Sequence, residues 1–155
     1  MMMKRSDFEI MAPVGSYDSL TAAIQGGADS VYFGIEGLNM RARSSNNFTI
    51  DDLHEIVRIC NEHRIKSYLT VNTVIYDEDI PLLHRIIDAA KEAGLSAIIA
   101  SDVAAMTYAR EIGVEVHLST PAEYIQYRGV AILCPFCRCC RAGPGFDSGT
   151  GRPYS

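Results

Sequence analysis

Three groups of side chains in this sequence have the type and spacing to do chemistry. The first is the run CPFCRCC, which places Cys134, Cys137, Cys139 and Cys140 within seven residues. A C-x-x-C pair with two further thiols suits zinc or an iron–sulfur cluster. No second spaced pair follows it, and no histidine lies beyond His117, so a metal site is not the reading we adopt. The second group is His117 with Ser119 in VEVHLST. An imidazole is the usual general acid or base near neutral pH. On a strand, residues two apart share a face, so the pair points the same way. Sequence alone identifies no carboxylate to orient the ring, and a satisfied core histidine fits the same pattern. His117 is therefore a catalytic candidate and not one member of a triad. The third group is polar: Asn39, Arg41 and Arg43 in LNMRAR, Asn72 in LTVNTVI, and Asp102 after Ser101. Two guanidiniums suit phosphate or carboxylate, and amides suit base edges. The plain alternatives are solvated arginines, a loop-ordering amide at Asn72 and a helix N-cap at Asp102. Cys60 lies on the inner stripe of a helix and reads as a buried thiol.

The elements that must position these residues follow a regular beat. FEIMAPV, SVYFGI, KSYLTVNTVI, LSAIIAS and VEVHLST read as five strands. Between them, SYDSLTAAIQGG, TIDDLHEIVRICNEHR, IPLLHRIIDAAKEAG and DVAAMTYAREIG read as helices. Their inward stripes are Leu20, Ala23 and Ile24; Leu53, Ile56, Val57 and Cys60; and Leu83, Ile86, Ile87 and Ala90. Thr49 with Asp52 three residues on forms a capping signal, and Gly94 and Gly113 stand where helices stop. Asp77, Glu78 and Asp79 read as acids favoured at a helix start, not as a metal cluster.

Strands joined through helices pair in parallel, which leaves an open doubly wound sheet or a closed barrel. No G-x-G-x-x-G follows the first strand, so the barrel is preferred. The expected fold is α/β: an incomplete (β/α) TIM-like barrel of five parallel strand–helix units over residues 1–120, with an irregular tail over 121–155. In that barrel Gly15, Ser16, Asn39, Arg41, Arg43, Asn72, Ser101, Asp102, His117 and Ser119 fall at the carboxyl ends of strands. There they would make a polar ring for an anion or a nucleobase.

Composition sets the outer limits. The 155 residues carry a formal net charge of −5 and are 48% hydrophobic, enough for a real core. No apolar run approaches the roughly 20 residues of a membrane span. MMMKRSDFEI has no apolar signal core, so a cytoplasmic location is expected. The balance is uneven, however. Residues 1–120 hold 10 basic and 17 acidic side chains and one cysteine, whereas residues 121–155 hold 4 basic, 2 acidic and four cysteines.

The blocks IMAPVGSYDSLTAAIQGGADSVYFG, LNMRARSSNNFTIDDL, YLTVNTVIYDED, AIIASDV and VEVHLST, in that order, resemble the collagenase-like peptidase family, the unassigned-class peptidase family thirty-two. The resemblance covers residues 8–120. It implies an N-terminal TIM-like barrel and a putative hydrolase of peptide bonds. It implies as alternatives a factor for pyrimidine hydroxylation in transfer or ribosomal RNA, or a non-catalytic ligand-binding barrel. The intact protein's partner would be a peptide or an RNA, with no membrane role and an oligomeric state that the sequence does not reveal. The family's Cys- and Gly-containing signature lies beyond the matched blocks. No cofactor is therefore expected on this chain, although some full-length relatives carry an iron–sulfur cluster. No H-E-x-x-H, Ser-His-Asp set or aspartic dyad is legible.

The tail departs from the family pattern at Thr120. One extra base in the codons for Thr120 and Pro121 would explain this. Decoded one base out of step, the tail is compatible with HLSTQLN, an amphipathic helix and a buried strand VVVLAR. On that decoding the four clustered cysteines are shifted versions of ordinary codons, and the 155-residue chain, an incomplete barrel, is expected to be inactive and poorly folded by itself.

Overall fold

The computed structural model describes residues 8–35, 37, 38 and 48–119. The five strands are β1 (Met11–Pro13), β2 (Ser30–Gly34), β3 (Lys66–Val71), β4 (Ala97–Ala100) and β5 (Val116–Leu118). The helices are α1 (Tyr17–Gln25), α2 (Ile50–Glu62), α3 (Ile80–Ala93) and α4 (Val103–Ile112). Every neighbouring pair is parallel, and the order is β1-β2-β3-β4-β5. That order decides between the two architectures left open by the sequence. A doubly wound sheet reverses direction at a switch point, and this sheet does not. Crossovers that advance one strand at a time with one hand lay every helix on the same face. Consistently, α2 packs on α3 and α3 on α4. The result is part of a (β/α) barrel wall.

The helices start and stop where the local chemistry says they should. Thr49 and Asp52 form a reciprocal capping box at α2: Asp52 Oδ2 accepts from Thr49 N at 2.8 Å, and Thr49 Oγ1 accepts from Asp52 N at 3.3 Å. Ser16 does the same for α1 with Ser19. Gly94 and Gly113 end α3 and α4 in the left-handed region, at φ 77° and 83°. The acidic run Asp77–Asp79 forms a single 3-10 turn ahead of α3. The strands are shorter than their apolar runs: β1 begins at Met11 and not at Phe8, and β3 ends at Val71 and not at Ile75. Pairing partners, not hydrophobicity, set those ends, since a lone strand extension leaves its backbone groups unpaired.

Alternation along the strands separates two faces. Val31, Phe33, Leu69, Val71, Ile98, Ala100 and Val116 join Leu53, Ile56, Val57, Cys60, Leu83, Ile86, Ile87 and Ala90 in one core between sheet and helices. All four residues of each predicted α2 and α3 stripe are buried. Tyr32, Lys66, Tyr68, Thr70, Ile99 and His117 stand on the other face, which in a barrel is the interior. The tail 121–155, with its cysteine cluster, lies outside the described residues, as do Asn39, Arg41 and Arg43. Ile35 and Phe48, on either side of that segment, form a parallel bridge. Phe48 packs edge-on to both Phe33 and Tyr17, with ring centroids 5.9 and 5.5 Å apart.

Candidate active site

Ligands meet a barrel at the carboxyl ends of its strands. Carried one residue past Val71, Ala100 and Leu118, the strand register aligns Asn72, Ser101 and Ser119 in a row across β3, β4 and β5. All three are half-buried. Ser119 N donates to Ala100 O at 2.8 Å, so the pairing does continue to that level. One step deeper, His117 stands level with Ile99 and Thr70. Val116 is buried in the helix-side core, and alternation therefore turns His117 and Ser119 toward the interior.

His117 does have a carboxylate beside it, which the sequence reading did not find. Its Nε2 lies 3.3 Å from Glu115 Oε1. Glu115, His117 and Ser119 are spaced i, i+2 and i+4, so period-two alternation was the signal that could have revealed the pair. The imidazole also packs on Tyr68, with ring centroids 4.9 Å apart. Tyr68 in turn donates its hydroxyl to Glu9 Oε1 at 2.9 Å, and Lys66 Nζ donates to Glu9 Oε2 at 2.7 Å. The Lys66 hydrogen bond holds the Glu9 carboxyl below its ordinary range, with Tyr68 adding to the effect. A line of contacts thus runs down the inner face from Glu115 through His117 and Tyr68 to Glu9 and Lys66. An imidazole with an adjacent carboxylate can exchange a proton with a bound reactant while the carboxylate stabilises the imidazolium.

The other sequence candidates divide. Asp102 Oδ1 accepts from Ala104 N at 2.8 Å and caps α4, while Oδ2 receives Ile75 N at 3.4 Å. Asp102 therefore ties the loop after β3 to the start of α4. Ser16 Oγ is engaged in capping α1, and Gly15 N donates to Ser19 Oγ at 3.0 Å. Cys60 is fully buried, and burial pushes its thiol up to about 11, which removes it as a nucleophile. Among the described residues, no group of three or more His, Cys, Asp or Glu side chains could hold a metal ion, and Cys60 is the one thiol. These residues do not fit an iron–sulfur cluster. His84 is half-buried and stacked on Tyr108, with ring centroids 3.7 Å apart.

Sheet order, one-sided helices and a polar row above an imidazole–carboxylate pair define an α/β barrel protein with its candidate site at the strand ends. The sequence matches the profile of peptidase family U32 over residues 15–136, and the chain belongs to that family. It is 75% identical over 118 residues to a collagenase of Porphyromonas gingivalis, covering 76% of this chain and 28% of that protein. It is 31% identical over 124 residues to tRNA hydroxylation protein P1 of Bacillus subtilis, covering 79% of this chain and 29% of that one. A solved U32 peptidase structure superposes with a TM-score of 0.60 at 9% identity, over 88% of this chain and 59% of the other. The chain thus spans less than a third of the length of these two curated relatives. Among the described residues no helix is long and apolar enough to cross a membrane.

Proposed function

We propose that this chain supplies the β1–β5 wall of a barrel that hydrolyses peptide bonds, and that it acts only when the rest of the barrel is present. The observation that carries this reading is the 75% identity to a protein named as a collagenase. At that level the inner-face residues and their spacing are expected to be shared along with the fold. In such a site His117, supported by Glu115, takes a proton from an attacking water and returns it to the leaving amine. The Asn72 amide and the Ser101 hydroxyl orient the carbonyl. The test uses the longer protein that contains these residues, with a collagen-derived peptide as substrate. His117→Gln should lower kcat/KM by about 10² to 10⁴. An unchanged rate refutes the assignment.

A second reading, a factor for pyrimidine hydroxylation in RNA, is favoured by the likeness to the tRNA hydroxylation protein of Bacillus subtilis. Mass spectrometry of RNA nucleosides from a deletion strain separates the two. Loss of a hydroxylated pyrimidine supports the RNA role, and an unchanged profile removes it.

Residues 121–155 are part of the same proposal: we read them as the family's continuation shifted by one base. The composition change at Thr120 supports this, although the family match itself reaches residue 136. Sequencing the genomic DNA across the codons for Thr120 and Pro121 decides it. One base fewer restores the long frame, whereas an unchanged reading frame makes the cysteine cluster a real feature of the chain.

A further inference from the structure

Beside the row Asn72–Ser101–Ser119, the mouth carries an apolar rim. Val74 and Tyr76 are each 65% exposed and Val103 is 52% exposed. They gather around one hydrogen bond, from Ile75 N to Asp102 Oδ2. Ile75 packs half-buried against the core, so Val74 and Tyr76 flank a partly buried anchor, and Val103 follows Asp102 directly. Tyr76 is held further by its own N–H, which donates to Asp79 Oδ2 at 3.0 Å. Scattered exposed apolar residues need no explanation, but a group of them at one functional edge marks a contact surface.

Among the described residues, the loops after β3 and β4 carry charge of a single sign. The segments 67–84 and 95–109 contain the loops after β3 and β4, and between them they hold Asp77, Glu78, Asp79 and Asp102 and neither Lys nor Arg. Asp77 and Glu78 are exposed. The next cation along α3 is Arg85, in the helix's second turn, and Lys91 lies in its last turn. A nucleic acid laid on this rim would bring its phosphates against these carboxylates. A polypeptide with an apolar side chain next to a lysine or arginine is complementary in both respects.

We infer that Val74, Tyr76 and Val103, with Asp77 and Glu78, form a docking rim for a polypeptide substrate in which an apolar side chain neighbours a basic one. The apolar side chain lies against Tyr76, and the basic one faces Asp77 and Glu78. The inference deepens the peptide-hydrolase reading by naming the substrate class, and it rests on that reading for the fate of the bound chain.

The test is fluorescence anisotropy of the longer protein that contains these residues, with three dye-labelled probes. These are a decapeptide of alternating Leu and Lys, the same peptide with Glu in place of Lys, and a single-stranded RNA decamer. Tyr76→Ala and Glu78→Gln change exposed side chains, so both variants should keep the parent's circular dichroism. The Leu–Lys peptide is expected to bind about tenfold or more tightly than either other probe. Tyr76→Ala should weaken it about tenfold, and Glu78→Gln about two- to fivefold, the latter difference vanishing in ~1 M salt. No binding of the Leu–Lys peptide overturns the inference, as does equal or tighter binding of the RNA or the Leu–Glu peptide. Binding that both variants leave unchanged also overturns it. A dimer that Tyr76→Ala dissolves makes a second copy the occupant, and that too overturns it. The two proposals fail separately: selective Leu–Lys binding without cleavage by the longer protein removes only the hydrolase, and cleavage without selectivity removes only the rim.

Discussion

On the helix side of the sheet, Val31, Phe33, Leu69, Val71, Ile98 and Ala100 are 0–1% exposed beneath the helices, whereas Tyr32, Thr70, Ile99 and His117 opposite them are only half-buried. The first face is closed by close-packed hydrocarbon, so its residues are interchangeable in chemistry and constrained in volume. The second is held by polar contacts between residues distant in the chain, such as Tyr68 with Glu9 and Lys66 with Glu9. Most of the close packing lies on one side of the β-sheet, and the candidate site lies on the other. A similar division runs along the helices' starts, where side chains such as Asp52 serve the fold and leave no group for a ligand.

The largest test of this division is chemical. With its thiol pushed up to about 11, Cys60 should react with iodoacetamide at pH 8 about a hundredfold more slowly in the native chain than in urea, from thiolate fraction alone. Peptide mapping by mass spectrometry reads this residue separately from the cysteines of the tail. Rapid native labelling would show that the helix-side core opens.

Next in size are two truncations on opposite faces, compared by urea denaturation. Phe33→Ala should cost about 3–5 kcal/mol, as for a fully buried aromatic. Ile99→Ala on the interior face should cost only ~1 kcal/mol, because its side chain is half-buried. Equal losses would mean that the interior face is as closed as the helix side.

Asp52→Ala should cost about 1–2 kcal/mol, since it breaks the α2 capping box and frees the Tyr17 hydroxyl that donates to Asp52 Oδ1 at 2.8 Å. The Thr49 backbone hydrogen bond, then its hydroxyl and that of Tyr17, hold the Asp52 carboxyl below its ordinary range. A carboxyl depressed on folding stabilises above its unfolded pKa, near ~3.9, and loses that contribution as pH falls through the lower folded value. The gap between parent and variant should therefore narrow as pH drops below about 4. Tyr17 responds at the other extreme: burial and then Asp52 push it up to about 12.

The smallest effect is expected at Glu9→Gln, which weakens the Lys66 and Tyr68 contacts at a partly exposed pair. It should cost at most ~1 kcal/mol and less in high salt. Its sign follows Asp52, because Lys66 lowers the Glu9 carboxyl and the benefit disappears in acid. A larger loss would make the polar line on the inner face a structural member of the fold.

Much of the fold was legible because its signals are local. The stripes of α2 and α3, the Thr49–Asp52 cap and the glycine stops at Gly94 and Gly113 each lie within a few residues of chain, and each is present. Strand ends were less legible, since apolar character runs on past Val71 where pairing has stopped. Of the candidate site, residue type singled out His117 and Asn72 as candidates, and the N-cap alternative for Asp102, which the structure shows, was open from the start. Glu115 was within reach of strand alternation, but its role depends on which side of β5 faces the interior.

Periodicity, capping and turn chemistry in the sequence determined which segments are helices and strands and that the strands must be parallel. Only the tertiary structure decided the strand order, which excludes a doubly wound sheet, because the direction of each crossover is not encoded in any local period. Tertiary structure alone also set His117 between Glu115 and Tyr68, and Tyr68 on Glu9. Glu9 and Tyr68 are 59 residues apart. A pattern read over one turn or one strand carries no information at that range, and it is the curvature and register of the assembled sheet that bring such groups together.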